Sequence, residues 1–111
     1  MNLPNAGQAR VDREKITEYL LSEDHADGRS KAAFFQRFGF HPDLWAVLAE
    51  ALQRHGQANP VIAVVESPYG TRYIVDGEME TPDRRNARVR TVWIVEQGTA
   101  APRLVTAYPI G

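Results

Sequence analysis

Cysteine is absent from this chain of 111 residues, and lysine is nearly so, with Lys15 and Lys31 as its two examples. Without cysteine, neither a disulfide framework nor a thiolate metal site is available, and the composition fits a reducing cytoplasm. No apolar run approaches the roughly 20 residues that cross a bilayer, and the N-terminal residues lack the basic-then-apolar order of a secretory signal. We therefore expect a soluble cytoplasmic protein with no membrane partner.

A basic excess is also missing, because 14 aspartates and glutamates face 13 lysines and arginines, for a net charge of −1. Strong non-specific nucleic-acid binders usually carry a clear positive charge, so this balance argues against wholesale electrostatic capture of nucleic acid. The arginines are nevertheless concentrated locally, since Arg84, Arg85, Arg88 and Arg90 fall within seven residues. Guanidinium groups favour forked recognition of oxyanions. This cluster is a candidate surface for an anionic substrate.

Several motifs that would specify a chemistry are absent. There is no internal repeat, heptad series or glycine-rich phosphate loop, so a nucleotide-triphosphate enzyme is not indicated. His25, His41 and His55 lack the i, i+4 spacing of helical zinc sites, and we predict neither a metal ion nor another cofactor. Ser30, His25 and Asp27 can be written as a triad, but no nucleophile elbow accompanies them.

The first half of the chain shows the three- and four-residue apolar spacing of helices. Ser30 is predicted to cap the second helix, Gly39 to end it, and Gly56 to end the third. The predicted elements are an extended segment at residues 1–10 and helices near residues 12–21, 31–38 and 42–55. Three aromatic residues of the second helix are predicted core residues: Phe34, Phe35 and Phe38.

The second half changes to the alternating or continuous apolar patterns of strands. Ser67 to Gly70 is predicted to form a four-residue hairpin loop. Helices followed by strands indicate an α+β fold, with three N-terminal helices packed on one face of a four-stranded antiparallel meander. We assign residues 1–111 to a single domain. The predicted strands cover residues 61–66, 71–75, 89–95 and 102–109.

Alternation along the strands divides the polar residues between the two faces of the sheet. Arg90 and Trp93 fall on opposite faces of the third strand, whereas Leu104, Thr106 and Tyr108 share one face of the fourth. Both faces carry large apolar side chains, so the sequence leaves open which face the helices cover. An arginine in a central strand is difficult to explain by packing. We therefore select Arg90, Thr106 and Tyr108 as candidate site residues.

Cleavage of RNA through its own 2'-hydroxyl needs a base, an acid and cations for the phosphorane, without a protein nucleophile or a metal ion. His25 and Lys31 are six residues apart, across a loop and the first turn of the following helix. Both side chains can therefore project over one edge of the sheet, where Arg90 and Tyr108 lie on the strands. Four further arginines are candidate substrate-binding residues: Arg84, Arg85, Arg88 and Arg103.

The chain resembles a small bacterial family, one of the domains of unknown function. The residues that carry the resemblance run from the N-terminal helix to the last strand, and they include Asp12–Ile16, Arg29–Phe35, Asn59–Val61, Arg90–Trp93 and Pro102–Pro109. Such domains resemble those found as short stand-alone proteins in toxin-antitoxin pairs and as the C-terminal tips of polymorphic secreted toxins. The resemblance implies a cognate antitoxin or immunity protein as partner.

This family in turn resembles the barnase, nuclease-colicin and RelE-like superfamily of metal-independent ribonucleases, which place helices before a four-stranded antiparallel sheet. The resemblance implies an endoribonuclease toxin that cleaves RNA, with tRNA as one candidate, to a 2',3'-cyclic phosphate. In that mechanism His25 is base or acid, Lys31 and Arg90 stabilise the phosphorane, and Thr106 and Tyr108 position the phosphate or move a proton. The alternative is a non-catalytic binding module, such as an antitoxin, an immunity-type protein or an RNA-binding subunit, which the near-neutral charge favours.

Overall fold

Helices occupy the first half of the chain and strands the second half in the computed structural model, which describes residues 1–111. The order confirms an α+β fold with three helices and a four-stranded antiparallel meander, β1-β2-β3-β4. Helix α1 is an α-helical turn, Arg13–Lys15, continued by a π-helical turn, Ile16–Leu20; α2 spans Arg29–Arg37 and α3 spans Trp45–Ala58. The strands are β1 (Val61–Ser67), β2 (Gly70–Met79), β3 (Ala87–Glu96) and β4 (Arg103–Pro109).

The predicted start of α2 was wrong by two residues, because the helix begins at Arg29. Ser30 lies inside its first turn, and the N-terminal cap position is Gly28, which offers no side-chain hydrogen bond. Glycine is required at this position because a Cβ would collide with the backbone carbonyl oxygen of Tyr19. Gly39 ends the helix as predicted, with a φ of +100°.

The predicted end of α3 was also wrong, because the helix continues past Gly56 to Ala58. Gly56 serves packing rather than helix termination. A Cβ at this position would lie 2.9 Å from the ring of Trp93 on β3, so only glycine lets the helix approach the sheet this closely.

One face of the sheet packs under the helices, and it is the face that carries Trp93. Trp93 is completely buried, whereas Arg90 lies on the opposite face, which no helix covers. Phe35 is fully buried as predicted, while Phe34 and Phe38 are partly buried against the core. The largest buried side chains come from all three helices, from three strands and from the loop after α2: Ile16, Leu20, Phe35, Phe40, Leu48, Leu52, His55, Val75, Met79, Val89, Trp93 and Leu104.

The predicted parity of β4 was wrong because the strand contains a β-bulge. The register shifts between Val92 and Trp93 of β3, so that Thr106 pairs with the former and Leu104 with the latter. The extra residue breaks the alternation, and Leu104 and Ala107 are both buried in the core. Leu104, Thr106 and Tyr108 therefore do not share one face.

The two outer edges of the sheet are covered differently. At β4, Arg10 donates its backbone N–H to the carbonyl oxygen of Pro102 and accepts one from Leu104. This contact follows a single 3-10 turn, Ala6–Gln8, within the N-terminal segment. At β1, the backbone N–H of Val61 donates to the carbonyl oxygen of Met1. The β1–β2 turn has two residues instead of the predicted four, because Ser67 pairs directly with Gly70.

A buried hydrogen-bond network joins α3 to the sheet beneath it. His55 is 2% exposed, and its Nε2 lies 2.8 Å from the carbonyl oxygen of Val89, which only a protonated Nε2 can satisfy. Its Nδ1 then accepts a hydrogen bond from the hydroxyl of Thr91 at 3.0 Å. That hydroxyl oxygen also accepts the indole N–H of Trp93 at 2.8 Å. Every polar atom of the network has a partner, so its burial carries little penalty.

We expect Gly56→Ala to destabilise the protein although alanine favours helices. Overpacking against the buried ring of Trp93 costs typically about 1–3 kcal/mol, which exceeds the gain of up to about 1 kcal/mol in helix propensity. Chemical denaturation measures the difference, with Gly7→Ala as the control because a Cβ there meets no atom within 4 Å. A Gly56→Ala variant as stable as the control would contradict this packing argument.

We expect the free energy of unfolding to fall between pH 7 and pH 5 because of His55. Burial lowers the pKa of this imidazole below 6.5, so the unfolded chain takes up a proton in this range before the folded protein does. The lost stability should be smaller in His55→Gln, measured as the difference in unfolding free energy between the two pH values. His41→Gln, at an exposed position, should retain the wild-type dependence.

Candidate functional site

Tyr19 lies at the centre of a cluster that contains three of the residues selected from the sequence. Its ring makes an edge contact with the ring of His25, with centroids 4.9 Å apart, and its hydroxyl lies 3.1 Å from the hydroxyl of Thr106. The ammonium groups of Lys15 and Lys31 lie 5.2 and 5.4 Å from the ring centroid. Both lysines of the chain therefore converge on one aromatic ring, as in cation–π contacts.

Tyr19 was not predicted as a site residue, because it fits the apolar spacing of α1. In the structure it belongs to the π-helical turn, which Leu21 closes by donating its N–H to the carbonyl oxygen of Ile16 at 2.8 Å. Turns of this kind occur frequently at functional sites. The sequence did hold one signal for Tyr19, because Lys15, one of the two lysines of the chain, precedes it by one helical turn.

Lys31 connects this cluster to the end of β4. Its Nζ donates a hydrogen bond to the carbonyl oxygen of Asp27 at 3.1 Å. Together with Ser30 it faces Tyr108 and Pro109 across a cleft of about 460 Å³. The start of α2 and the end of β4 thus present an ammonium group and a phenol to the same space.

Arg90 stands beside Tyr108 on the uncovered face of the sheet, with its guanidinium 5.9 Å from the ring centroid. It also makes a forked ion pair, in which Nε and Nη2 donate to the carboxylate oxygens of Asp76 at 2.7 and 2.8 Å. These hydrogen bonds lower the pKa of Asp76 and raise the pKa of Arg90. The ion pair explains an arginine in a central strand and fixes the guanidinium next to the phenol.

The ring orientation of His25 is set by its own loop. Nδ1 accepts backbone N–H groups from Asp27 and Gly28, at 3.0 and 3.1 Å. These two donors require a lone pair on Nδ1, so the neutral ring carries its proton on Nε2. In this conformation the lone pair of Nδ1 is used within the loop, and Nε2 carries the ring hydrogen. His25 can therefore donate a hydrogen bond through Nε2 but has no free lone pair with which to accept a proton.

A second cleft, of about 590 Å³, adjoins the cluster and is rich in carboxylates. It is lined by Tyr19, His25 and Thr106 from the cluster, with Lys15 as its one lysine. Four acidic residues complete most of the remaining wall: Asp12, Glu14, Glu18 and Asp27. Carboxylates repel phosphate groups, so this cleft differs from the Lys31–Tyr108 cleft in the charge it favours.

The four arginines predicted to bind substrate are dispersed. Arg88 is exposed on the uncovered face, two residues from Arg90 and opposite Glu78. Arg103 is paired with Glu96 at 3.0 Å, at the other end of β4. The remaining two, Arg84 and Arg85, lie in the loop before β3.

Arg85 is held at the end of α2, away from the Lys31–Tyr108 cleft. It donates hydrogen bonds to Asp83 and to the carbonyl oxygen of Arg37, both at 2.8 Å, and its guanidinium lies 4.8 Å from the ring of Phe38. Arg84 is exposed and adopts a left-handed backbone conformation with a φ of +66°.

The structure brings no group of three or more histidine, aspartate or glutamate side chains into an arrangement that could hold a metal ion. None of the helices combines the length and the apolar character that crossing a bilayer requires.

Residues 2–111 match the family model of DUF6883, described as a domain of unknown function. The chain belongs to this family. The match covers both clefts and all the candidate residues, from His25 to Tyr108. No curated protein sequence matches the chain.

A solved structure shares the fold of this DUF6883 chain. One chain of the contact-dependent growth inhibition toxin–immunity protein complex from Klebsiella pneumoniae 342 superimposes with a TM-score of 0.73 at 19% sequence identity. The similarity covers 96% of this chain and 97% of that chain. At this identity the likeness concerns the arrangement of helices and strands.

The hydrogen bond between Tyr19 and Thr106 can be tested by a double-mutant cycle. We expect Tyr19→Phe and Thr106→Val each to lower the free energy of unfolding by about 0.5–1.5 kcal/mol, because each removes the same part-buried bond. The double variant should then lose less than the sum of the two. Tyr73→Phe is the control, since it removes a phenol hydroxyl from a similarly half-buried site. Strictly additive losses would show that the two hydroxyl groups do not interact.

Proposed function

We propose that this protein is a metal-independent endoribonuclease toxin. The observation that supports the proposal is the convergence of Lys31 and Tyr108 on one cleft, directly beside Tyr19, His25 and Thr106. An ammonium group, two phenols, a hydroxyl group and an imidazole are the kinds of group that metal-independent phosphodiester cleavage requires. They come from the loop and start of α2, from α1 and from β4.

The position of the Lys31 ammonium group determines where the phosphate binds in the proposed reaction. The scissile phosphate occupies the Lys31–Tyr108 cleft, where the ammonium group of Lys31 stabilises the developing negative charge. The 2'-oxygen loses its proton and attacks phosphorus, and the bond to the 5'-oxygen breaks as that oxygen takes up a proton. The products are a 2',3'-cyclic phosphate and a 5'-hydroxyl. Thr106 and Tyr108 position the phosphate or move a proton, and Arg90 holds Tyr108 in place.

The role of His25 is narrower than general acid–base catalysis. Its Nε2–H can donate a hydrogen bond to a phosphate oxygen, whereas Nδ1 is held by the loop. The proton of the 2'-hydroxyl is then accepted by a carboxylate of the neighbouring cleft, for which Glu18 and Asp27 are the candidates. In this mechanism the acidic cleft supplies the base, and the Lys31–Tyr108 cleft stabilises the negative charge.

The cellular role we propose is that of a toxin restrained by a cognate antitoxin or immunity protein. The fold shared with a chain of a toxin–immunity complex supports a partner protein of this kind. The substrate we propose is RNA, with tRNA as one candidate. Arg88, which is exposed on the uncovered face of the sheet, is the arginine best placed to contact the RNA beyond the cleft.

A second function, that of a non-catalytic immunity-type or antitoxin module, is favoured by the carboxylates of the second cleft. Asp12, Glu14, Glu18 and Asp27 line a surface that repels an RNA backbone and attracts a basic protein. In this role the chain binds its partner without turnover, and its expression alone is harmless to the cell.

Incubation of the purified protein with total RNA and with tRNA in excess EDTA tests the proposal. We expect fragments with cyclic-phosphate ends, and at least a hundredfold slower cleavage by Lys31→Ala, because an oxyanion-stabilising group of this kind contributes about 100- to 1,000-fold in rate. Arg29→Ala is the matched control, because it removes an exposed cation two residues earlier on the same helix.

Equal loss in Lys31→Ala and Arg29→Ala would mean that Lys31 acts only through the general charge of α2. Intact RNA with the wild-type protein would contradict catalysis and favour the binding module. In that case, Glu14→Lys and Glu18→Lys should weaken partner binding more than Lys31→Ala does.

A further inference from the structure

Helix α2 differs from the rest of the chain in the sign of its charges. Its nine residues include Arg29, Lys31 and Arg37 but no aspartate or glutamate. In the whole chain, by contrast, acidic residues slightly outnumber basic ones. Two of the three cations lie in the first turn of the helix, where a positive charge opposes the helix dipole. The stability of the helix therefore does not explain them.

Arg29 and Arg37 lie on one exposed face of this helix, with Ala33 between them. The three residues are spaced four apart, which places them in one row along the helix surface, and all three are exposed. The row is about 12 Å long, at 1.5 Å per residue. Lys31 lies beside the row and lines the cleft that contains Tyr108. The exposed face thus presents two guanidinium groups on either side of a small apolar residue.

Neither guanidinium group of this face has a carboxylate partner within the chain. Arg29 and Arg37 form no salt bridge, and Asp83, in the loop that contacts the end of α2, is already paired with Arg85. Five other arginines do pair with aspartate or glutamate: Arg10, Arg54, Arg85, Arg90 and Arg103. The positive charge of the exposed face of α2 is therefore available to a partner molecule.

We propose that this face of α2 is the docking surface for an acidic helix of a partner protein. Two carboxylates eight residues apart on that helix lie opposite Arg29 and Arg37, with which they form charge-assisted hydrogen bonds. The small side chain of Ala33 lets the two helices approach closely, since rows of residues four apart pack into the grooves of a neighbouring helix. That the partner is an antitoxin or immunity protein rests on the proposed toxin function.

An RNA strand fits this face less well than an acidic helix does. Proteins bind single-stranded RNA through cations together with exposed aromatic rings, on which the bases stack. The aromatic side chains nearest the face, Phe34 and Phe38, are partly buried against the core, and the guanidinium of Arg85 lies over the ring of Phe38. The face therefore offers charge and close approach but no stacking surface.

Docking at this face would also restrain the proposed reaction. Ser30 follows Arg29 directly and lines the Lys31–Tyr108 cleft, so a helix bound along the row adjoins the mouth of that cleft. A partner bound here excludes RNA by its position and need not contact the reacting groups. Inhibition and catalysis then depend on different residues of the same helix, which makes them separable by mutation.

Titration with helical peptides tests the docking surface in the absence of RNA. The probe is an alanine-rich peptide of about 20 residues, long enough to be helical in water, with two glutamates eight residues apart. A second peptide of the same composition carries them two residues apart, on different faces. We expect the first peptide to shift the backbone amide NMR signals of Arg29 to Arg37. It should bind about two- to fivefold more tightly than the second, because it can form one more exposed ion pair.

The double variant Arg29→Gln, Arg37→Gln removes both charges and keeps residues of similar helix propensity. We expect it to lose the preference for the first peptide and to cleave RNA as the wild type does. The matched control is Arg13→Gln, Arg72→Gln, which loses the same charge at two exposed arginines outside α2 and should bind as wild type.

Equal binding of the two peptides by the wild-type protein, or an unchanged preference in the α2 double variant, overturns the docking proposal. Slower RNA cleavage by that variant with unchanged peptide binding would assign the face to RNA and overturn it as well. Because the titration contains no RNA, a wild-type protein that leaves RNA intact contradicts the ribonuclease alone.

Discussion

Helix α3 can lie close to the sheet only because a histidine and a glycine stand next to each other at its contact point. His55 inserts a polar ring among apolar side chains, where Thr91 and the carbonyl of Val89 satisfy both nitrogens. Gly56 leaves room for the ring of Trp93, whose indole N–H completes the network. An apolar helix face alone could slide along an apolar sheet, whereas directional hydrogen bonds allow one position. The covered and uncovered faces of the sheet follow from that position.

The candidate site depends on two irregularities that bring together opposite ends of the chain. The π-helical turn of α1 directs Tyr19 toward the sheet edge, and the β-bulge of β4 brings the hydroxyl of Thr106 to meet it. Gly28 then folds the next loop against the carbonyl of Tyr19, which places His25 and Lys31 around the same ring. Regular secondary structure in either element would separate these groups. Irregular geometry of this kind is common where side chains must be aimed.

Periodicity was sufficient to predict the fold, because helical spacing ends before residue 59 and strand patterns begin after it. It failed where a residue serves packing rather than local structure, as at Gly56, which resembles a helix stop in the sequence but contacts Trp93. It failed again at β4, since a bulge leaves no signature in the alternation. Lys31 and Tyr108 were selected because RNA cleavage needs groups of their kinds, whereas Tyr19 was not selected because its spacing is that of a core residue.

The π-helical turn also decides where the chain length can vary around the site. A π turn accommodates one residue more than the α-helical turn it replaces. Removing a single residue between Ile16 and Tyr19 would therefore allow an ordinary α-helical turn, with the residues on either side keeping nearly the same faces of the helix. Lys15 and Tyr19 would then be three residues apart instead of four, and both spacings keep two side chains on one helix face. Along this helix, the π-helical turn is the position at which the loss of one residue disturbs the contact between Lys15 and Tyr19 least.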